Sequence, residues 1–258
     1  MRLAPFPLAA VLLVSPTSPK SPTRADDAAD AKAIIEKAIK AHGQKPGAEP
    51  AVTTWKEKMA FDLPGQRMDL DSEWTVQAPD KLRFQATTSI QGAAVDLTVV
   101  LNGEKMWFLV NGQLLEVAPP QLADMLTEMN RMWATSLTPL LAGDEFQLAT
   151  AKEKVVNGKP AAGVAVRNGK RPIVTLYFDK ETGLLVKREA TVKDRLADDR
   201  EVLEEAVVSD YKEAGGRKYH TKVVVNRDGQ PYYSSEVSMP RAVEKPDPKL
   251  FDKPGVKQ

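Results

Sequence analysis

Cysteine is absent from this chain of 258 residues. Its absence excludes disulfides, thiolate chemistry and the lipid-acceptor cysteine of an exported lipoprotein. Histidine is nearly absent too: His42 and His220 stand alone, far apart in sequence. No His-Glu-x-x-His or Gly-x-Ser-x-Gly pattern occurs. Gly158-Lys159 lacks both the glycine spacing and the Ser/Thr of a phosphate loop. Zinc-hydrolase, serine-hydrolase and phosphate-loop readings therefore lack their parts. Aromatic residues make up 6% of the chain and the net charge is +1, with no basic patch interleaved with rings. Nothing draws such a surface to nucleic acid. No apolar run is long enough to span a bilayer.

Charged residues reach 28% and apolar residues 42%, enough for a soluble surface around a sizeable core. Carboxylates are dispersed. Asp69 and Asp71 share one face of a strand, where a solubilising role outweighs acid–base or calcium chemistry. Asp194, Asp198 and Asp199 with Arg195 and Arg200 read as a solvated hairpin tip. His42 falls at the end of a helix, where a cation is favoured, and His220 reads as a surface or edge residue. Neither enzyme activity, cofactor nor metal is expected.

The first 25 residues differ from the rest. Arg2 precedes an almost wholly apolar run, residues 3–14, followed by a Ser/Pro/Thr stretch and Thr23-Arg24-Ala25. This is the pattern of a secretory leader cleaved after Ala25, which predicts a soluble exported protein. Pro5 and Pro7 depart from the usual leader.

What remains is punctuated by glycine. Asn102-Gly103, Asn111-Gly112, Asn157-Gly158, Asn168-Gly169, Gly215-Gly216 and Asp228-Gly229 each separate runs rich in Val, Leu, Phe, Tyr and Thr. Two-residue hairpin turns need positive φ, which Gly, Asn and Asp tolerate. The alternating runs between these turns predict roughly eleven or twelve antiparallel strands, a mainly β fold in a single domain over residues 26–258. Two helices interrupt the meander. Residues 30–42 repeat Ala31, Ile34, Ile35, Ala38 and Ile39 at helical spacing and stop at Gly43. Residues 121–141 begin after Pro119-Pro120 and carry Leu122, Met125, Leu126, Met129, Met132 and Trp133 on one stripe. Periodicity does not separate a core plug from a mobile cover.

Several segments, in order, carry a resemblance. They are Trp74-Thr75-Val76-Gln77-Ala78-Pro79 with Leu82-Arg83-Phe84, then Asn102-Gly103-Glu104-Lys105-Met106-Trp107-Phe108, and finally Leu250-Phe251-Asp252-Lys253-Pro254-Gly255-Val256. The hairpin from Leu176-Tyr177-Phe178-Asp179 through Gly183-Leu184-Leu185-Val186-Lys187 fits the same pattern. Together they resemble the LolA-like superfamily of periplasmic lipoprotein carriers. The resemblance implies a half-open, incomplete β-barrel, a single curved antiparallel sheet with an N-terminal helix and a mid-chain lid helix over an apolar concave face. It also implies a non-enzymatic, monomeric carrier of lipid or lipoprotein acyl chains, or alternatively an envelope sensor that binds a protein partner. Leu82, Phe84, Leu97, Val99, Trp107, Met125, Met129 and Trp133 are the candidate lining residues. The carriers' lid-latching arginine precedes the corner proline, and here that position is Ala78. Arg83 substitutes only if it points inward, and alternation with Leu82 and Phe84 favours those two inside.

Overall fold

The computed structural model describes residues 24–46, 51–63, 65–169, 171–194 and 199–255. The expected leader and the closing Val256 therefore lie almost wholly outside the described residues. So do Pro64 and, in the charged hairpin tip, Arg195 and Asp198.

The chain runs α1 (Arg24–Ala41), β1 (Thr53–Leu63), β2 (Gln66–Gln77), β3 (Lys81–Ile90), β4 (Ala93–Asn102), β5 (Lys105–Val110) and β6 (Gln113–Leu115). Then follow α2 (Pro119–Thr135), a 3₁₀ turn (Thr138–Leu141), β7 (Phe146–Val156), β8 (Lys159–Asn168) and β9 (Arg171–Asp179). The last strands are β10 (Leu185–Asp194), β11 (Arg200–Ala214), β12 (Arg217–Arg227) and β13 (Gln230–Ala242).

All thirteen strands form one sheet in the order β6-β5-β4-β3-β2-β1-β13-β12-β11-β10-β9-β8-β7. It is curved and antiparallel and does not close into a barrel. Two meanders, β1 to β6 and β7 to β13, meet where the first strand pairs with the last. The strands number more than the expected eleven or twelve because tight turns allow even three residues to pair. Asn111 (φ 51°) and Gly112 (φ 78°) turn β5 into β6, and the same pattern recurs at Asn157-Gly158 and Asp228-Gly229. Both central residues have positive φ, which matches the twist of the flanking strands.

Both helices pack on one side of the sheet, the inner face. Ala31, Ile35, Ala38 and Ile39 of α1 join Val164, Val166, Leu176, Phe178, Ala206, Val208 and Val225 in the largest core cluster. The helix starts six residues before the expected Asp30 and ends as the sequence predicts, with the chain reversing at Gly43. The second helix is shorter than its apolar stretch. It stops at Thr135, and Leu137 takes φ 70° before the 3₁₀ turn. Pro119 and Pro120 open α2, and the Gln121 side chain accepts the Ala118 backbone N–H at 2.8 Å. On the outer face the C-terminal segment lays Leu250 and Phe251 over Val52, Val100 and Trp107.

Candidate functional site

Cross-strand partners in an antiparallel sheet share a face. One set of partners runs straight across the first meander. Trp55 pairs with Trp74, Trp74 with Phe84, Phe84 with Val99, Val99 with Phe108, and Phe108 with Leu115. At about 4.8 Å per strand this apolar row is about 24 Å long. It crosses β1 to β6 on the inner face without a polar side chain. Trp55 and Trp74 are stacked at 5.6 Å, and Trp74 meets Phe84 at 4.5 Å.

The apolar stripe of α2 covers the start of this row. Met129, with 0% exposure, is buried against Val76, Leu82 and Leu101. Trp55, Trp74, Phe84, Met106, Leu122, Met125, Leu126 and Met132 surround that centre. Beyond Phe84 the row emerges: Val99 and Phe108 are half-buried, and Leu115 is 42% exposed at the sheet edge.

The other flank of α2 is charged. Glu128 and Arg131 face Val174, Arg188, Ala190, Glu204 and Ala206 around a small cavity of about 10 Å³, the space of a single water. Arg131 and Glu128 form an ion pair at 2.7 Å. Burial works against the charge on Arg188, but Tyr233, Glu128, Glu204 and Glu57 together hold its pKa above the ordinary arginine value. The helix thus lies between two arms of the sheet with a greasy seam on one side and an ionic seam on the other.

Of the candidate lining residues, the structure brings Leu82, Phe84, Met125 and Met129 into one cluster. Val99 continues the same row. Leu97 lies one step along the same face, in a patch with Met59, Leu70 and Ala86. Two expectations need correction. Trp107 points to the outer face, where it packs on Val52, Val100 and Phe251. Its neighbours Met106 and Phe108 take the inner positions, because the C-terminal segment makes both faces of β5 apolar. Trp133 belongs to the other arm, edge-on to Phe146 at 5.0 Å in the core under α1. Arg83 faces outward and donates through Nε to the Gln85 side-chain Oε1 at 3.2 Å, so it latches nothing. Trp55, Trp74 and Phe108 were missed. The tryptophans alternate visibly with polar residues, whereas Phe108 lies in a run that is apolar throughout.

The histidines also differ from expectation. His42 is buried, and its Nδ1 lies 2.7 Å from the Ala38 carbonyl. Its Nε2 lies 3.5 Å from the Leu185 backbone N–H, which makes Nε2 the acceptor and Nδ1 the donor. Burial lowers its pKa, so it is a neutral linker between α1 and β10 rather than a cation at a helix end. His220 is no edge residue. It sits on β12 beside Tyr211 at 6.1 Å, and burial first, then Arg188 and His42, lowers its pKa to about 4. A neutral histidine is favoured in the fold, so the unfolded chain takes up its proton first as pH falls. Stability is complete above about pH 6.5 and is lost between there and about pH 4, by on the order of 3 kcal/mol. Melting temperatures at pH 7 and pH 4.5 should therefore differ, and His220→Gln should remove most of the difference. An unchanged difference in the variant contradicts this origin.

Away from the patch under Phe251, the outer face of the first meander is polar. A hollow of about 1080 Å³ on this face is lined by Lys56, Lys58, Asp71, Glu73, Arg83 and the tail near Lys253. Charges alternate there and pair, Lys58 across strands with Asp71 at 3.6 Å and Arg67 along β2 with Asp69 at 3.2 Å. Such exposed pairs contribute little stability and define no ligand. A second ionic cluster on the outer face joins Lys154 and Lys187 to Glu189, which also accepts the Tyr177 hydroxyl at 3.1 Å. It braces β7, β9 and β10. Among the described residues, no group of His, Asp and Glu is placed to hold a metal. No helix of the described residues is long and apolar enough to cross a membrane.

No protein-family model matches the chain, and no curated protein is significantly similar to it. Solved structures are similar in shape. A LolA superfamily protein from Nitrosomonas europaea superposes with a TM-score of 0.56 at 12% identity, covering 86% of this chain and 97% of that one. The chain has the fold of the LolA superfamily. A putative outer membrane lipoprotein-sorting protein domain from Vibrio parahaemolyticus gives a TM-score of 0.52 at 8% identity, covering 87% and 97%. A DUF1329 family protein from Desulfovibrio piger gives 0.51 at 14%, covering 86% and 97%. The overall fold is thus shared at identities where only backbone architecture survives.

Proposed function

We propose that this chain is an exported, non-enzymatic, monomeric binder or carrier of an acyl-bearing lipid or lipoprotein. The ligand's chain lies along the row from Trp55 to Leu115, and α2 is the movable cover. One observation carries this reading: the apolar row starts beneath a methionine-rich helix and continues, half-exposed, to an open sheet edge. The LolA-type fold, found also in a lipoprotein-sorting domain, supports it. Methionine suits a surface that repacks around different guests. Affinity comes from burying chain, at about 0.8 kcal/mol per CH₂, and needs no covalent step.

The test places one charge on either face of β4. Val99→Asp interrupts the row, whereas Thr98→Asp adds the same charge one residue away on the outer face. Binding of a fluorescent fatty-acyl probe should weaken at least about tenfold in the first, roughly 1.4 kcal/mol, and hardly change in the second. Equal effects, or no binding by the unmodified protein, would overturn the reading.

A second reading has its own observation. Met129 fills the seam under α2, while Leu114 and Leu115 stand 41% and 42% exposed on the three-residue edge strand β6. An uncharged open edge accepts a further strand, as an envelope sensor binding a protein partner would require. Native mass spectrometry of protein from an envelope fraction separates the two. A co-purifying lipid supports carriage, and a bare mass with a protein partner supports sensing.

A further inference from the structure

The apolar row has one closed end and one open end. At Trp55 it stops against β13, where a bulge sets Met239 and Pro240 opposite that one residue. Met239 takes φ 53° and lines the outer hollow, so it does not carry the row onward. Met125, Met129 and Met132 of α2 share a cluster with Trp55 and Trp74 at this end. At Leu115 the row runs out with the sheet itself, because β6 is an edge strand.

The accessible part of this face is narrow. All six residues of the row keep part of their surface exposed. On β2 and β3 their inner-face neighbours to either side, Ser72 and Val76, Leu82 and Ala86, are buried. The track over those strands is thus one side chain wide, which suits a single hydrocarbon chain. Its closed end offers no free indole donor, since Trp55 gives its Nε1–H to Glu57 at 3.4 Å and Trp74 gives its own to Ser72 Oγ at 3.2 Å. A polar head buried there would lose water without replacement. At β6 the same head stays in water, whatever its chemistry.

We infer that the row measures one straight acyl chain of about eighteen carbons, bound with its methyl end under α2 and its polar end at β6. Bonds of about 1.5 Å advance an extended chain by roughly 1.3 Å per carbon, and the row is about 24 Å long. Carbons beneath α2 are covered fully and those beyond Phe84 only in part, so each added carbon gains less as the chain lengthens. Beyond Leu115 a further carbon meets only solvent and gains nothing. This inference rests on reading the apolar row as an acyl site.

Saturated fatty acids of increasing length, each displacing the fluorescent fatty-acyl probe, test it. Affinity should rise by up to about fourfold per carbon and level off near about eighteen carbons. Leu115→Asn removes one strand's share of the row, about 4.8 Å, and should bring the plateau down to roughly fourteen carbons. Leu114→Asn, one residue away on the other face, should leave the plateau in place. The amine of plateau length should bind within about threefold of the acid, because a head in water is screened. Affinity still rising past about twenty-two carbons, or a plateau below about twelve, overturns the measured length. So does a plateau that Leu115→Asn does not move. A tenfold or greater preference for one head charge, roughly 1.4 kcal/mol, overturns the orientation. Each of these leaves the acyl site standing, whereas no binding by any chain removes the acyl site itself.

Discussion

Replacing Met129 by alanine should destabilise the protein by about 2–5 kcal/mol, whereas leucine at the same place should cost less than about 1.5 kcal/mol. Met129 has no exposed surface and lies between α2 and the buried Val76, Leu82 and Leu101. Alanine leaves a hollow on the seam that holds the helix to the first meander, and the ionic seam on the other flank is poor compensation. Denaturant unfolding of the two variants gives the answer directly. The alanine variant should also regain stability when a saturating acyl ligand occupies the hollow, by about 2.7 kcal/mol at a hundred times the dissociation constant. No loss in the alanine variant, or an equal loss in both, would show that α2 does not depend on this contact.

Gly43→Ala should destabilise by about 2–4 kcal/mol. Gly43 has φ 66°, and a Cβ there would stand 1.9 Å from the Gly216 carbonyl oxygen. The residue closes α1 in a Schellman arrangement, with Gly43 N–H bonded to Lys40 O at 3.1 Å and Gln44 N–H to Ile39 O at 3.0 Å. The adjacent Lys218 N–H to His42 O bond, 3.1 Å, ties that helix end to β12. Alanine both strains φ and pushes the β11–β12 turn off the helix. Gly65→Ala is the control, since its φ is 78° but nothing lies within 4 Å of the added Cβ. It should carry only the backbone strain, about 1–2 kcal/mol. Equal losses at the two sites, measured by thermal or denaturant unfolding, would remove the role assigned to close packing.

Much of this architecture was legible because its signals are local. Asn111-Gly112 or Asp228-Gly229 specifies a hairpin whatever surrounds it, and alternation in β3 separates Leu82 and Phe84 from Arg83. Pro119-Pro120 opens α2 for reasons confined to one helical turn. Face assignments failed where alternation was missing. The run Met106-Trp107-Phe108-Leu109 is apolar throughout, and only the packing of Phe251 on Trp107 shows which residues point outward. Trp133 shares a helical stripe with Met129 but, a turn later, belongs to the core of the other arm.

The sequence by itself determined the meander, its turns, two helices and the absence of familiar catalytic parts. These follow from backbone preferences and periodicity, which act over a few residues. Tertiary structure alone decided that six residues from six strands form one apolar row. That alignment depends on the register of each strand in the first meander. Register is set by which face the whole sheet can bury, a property that no single segment carries.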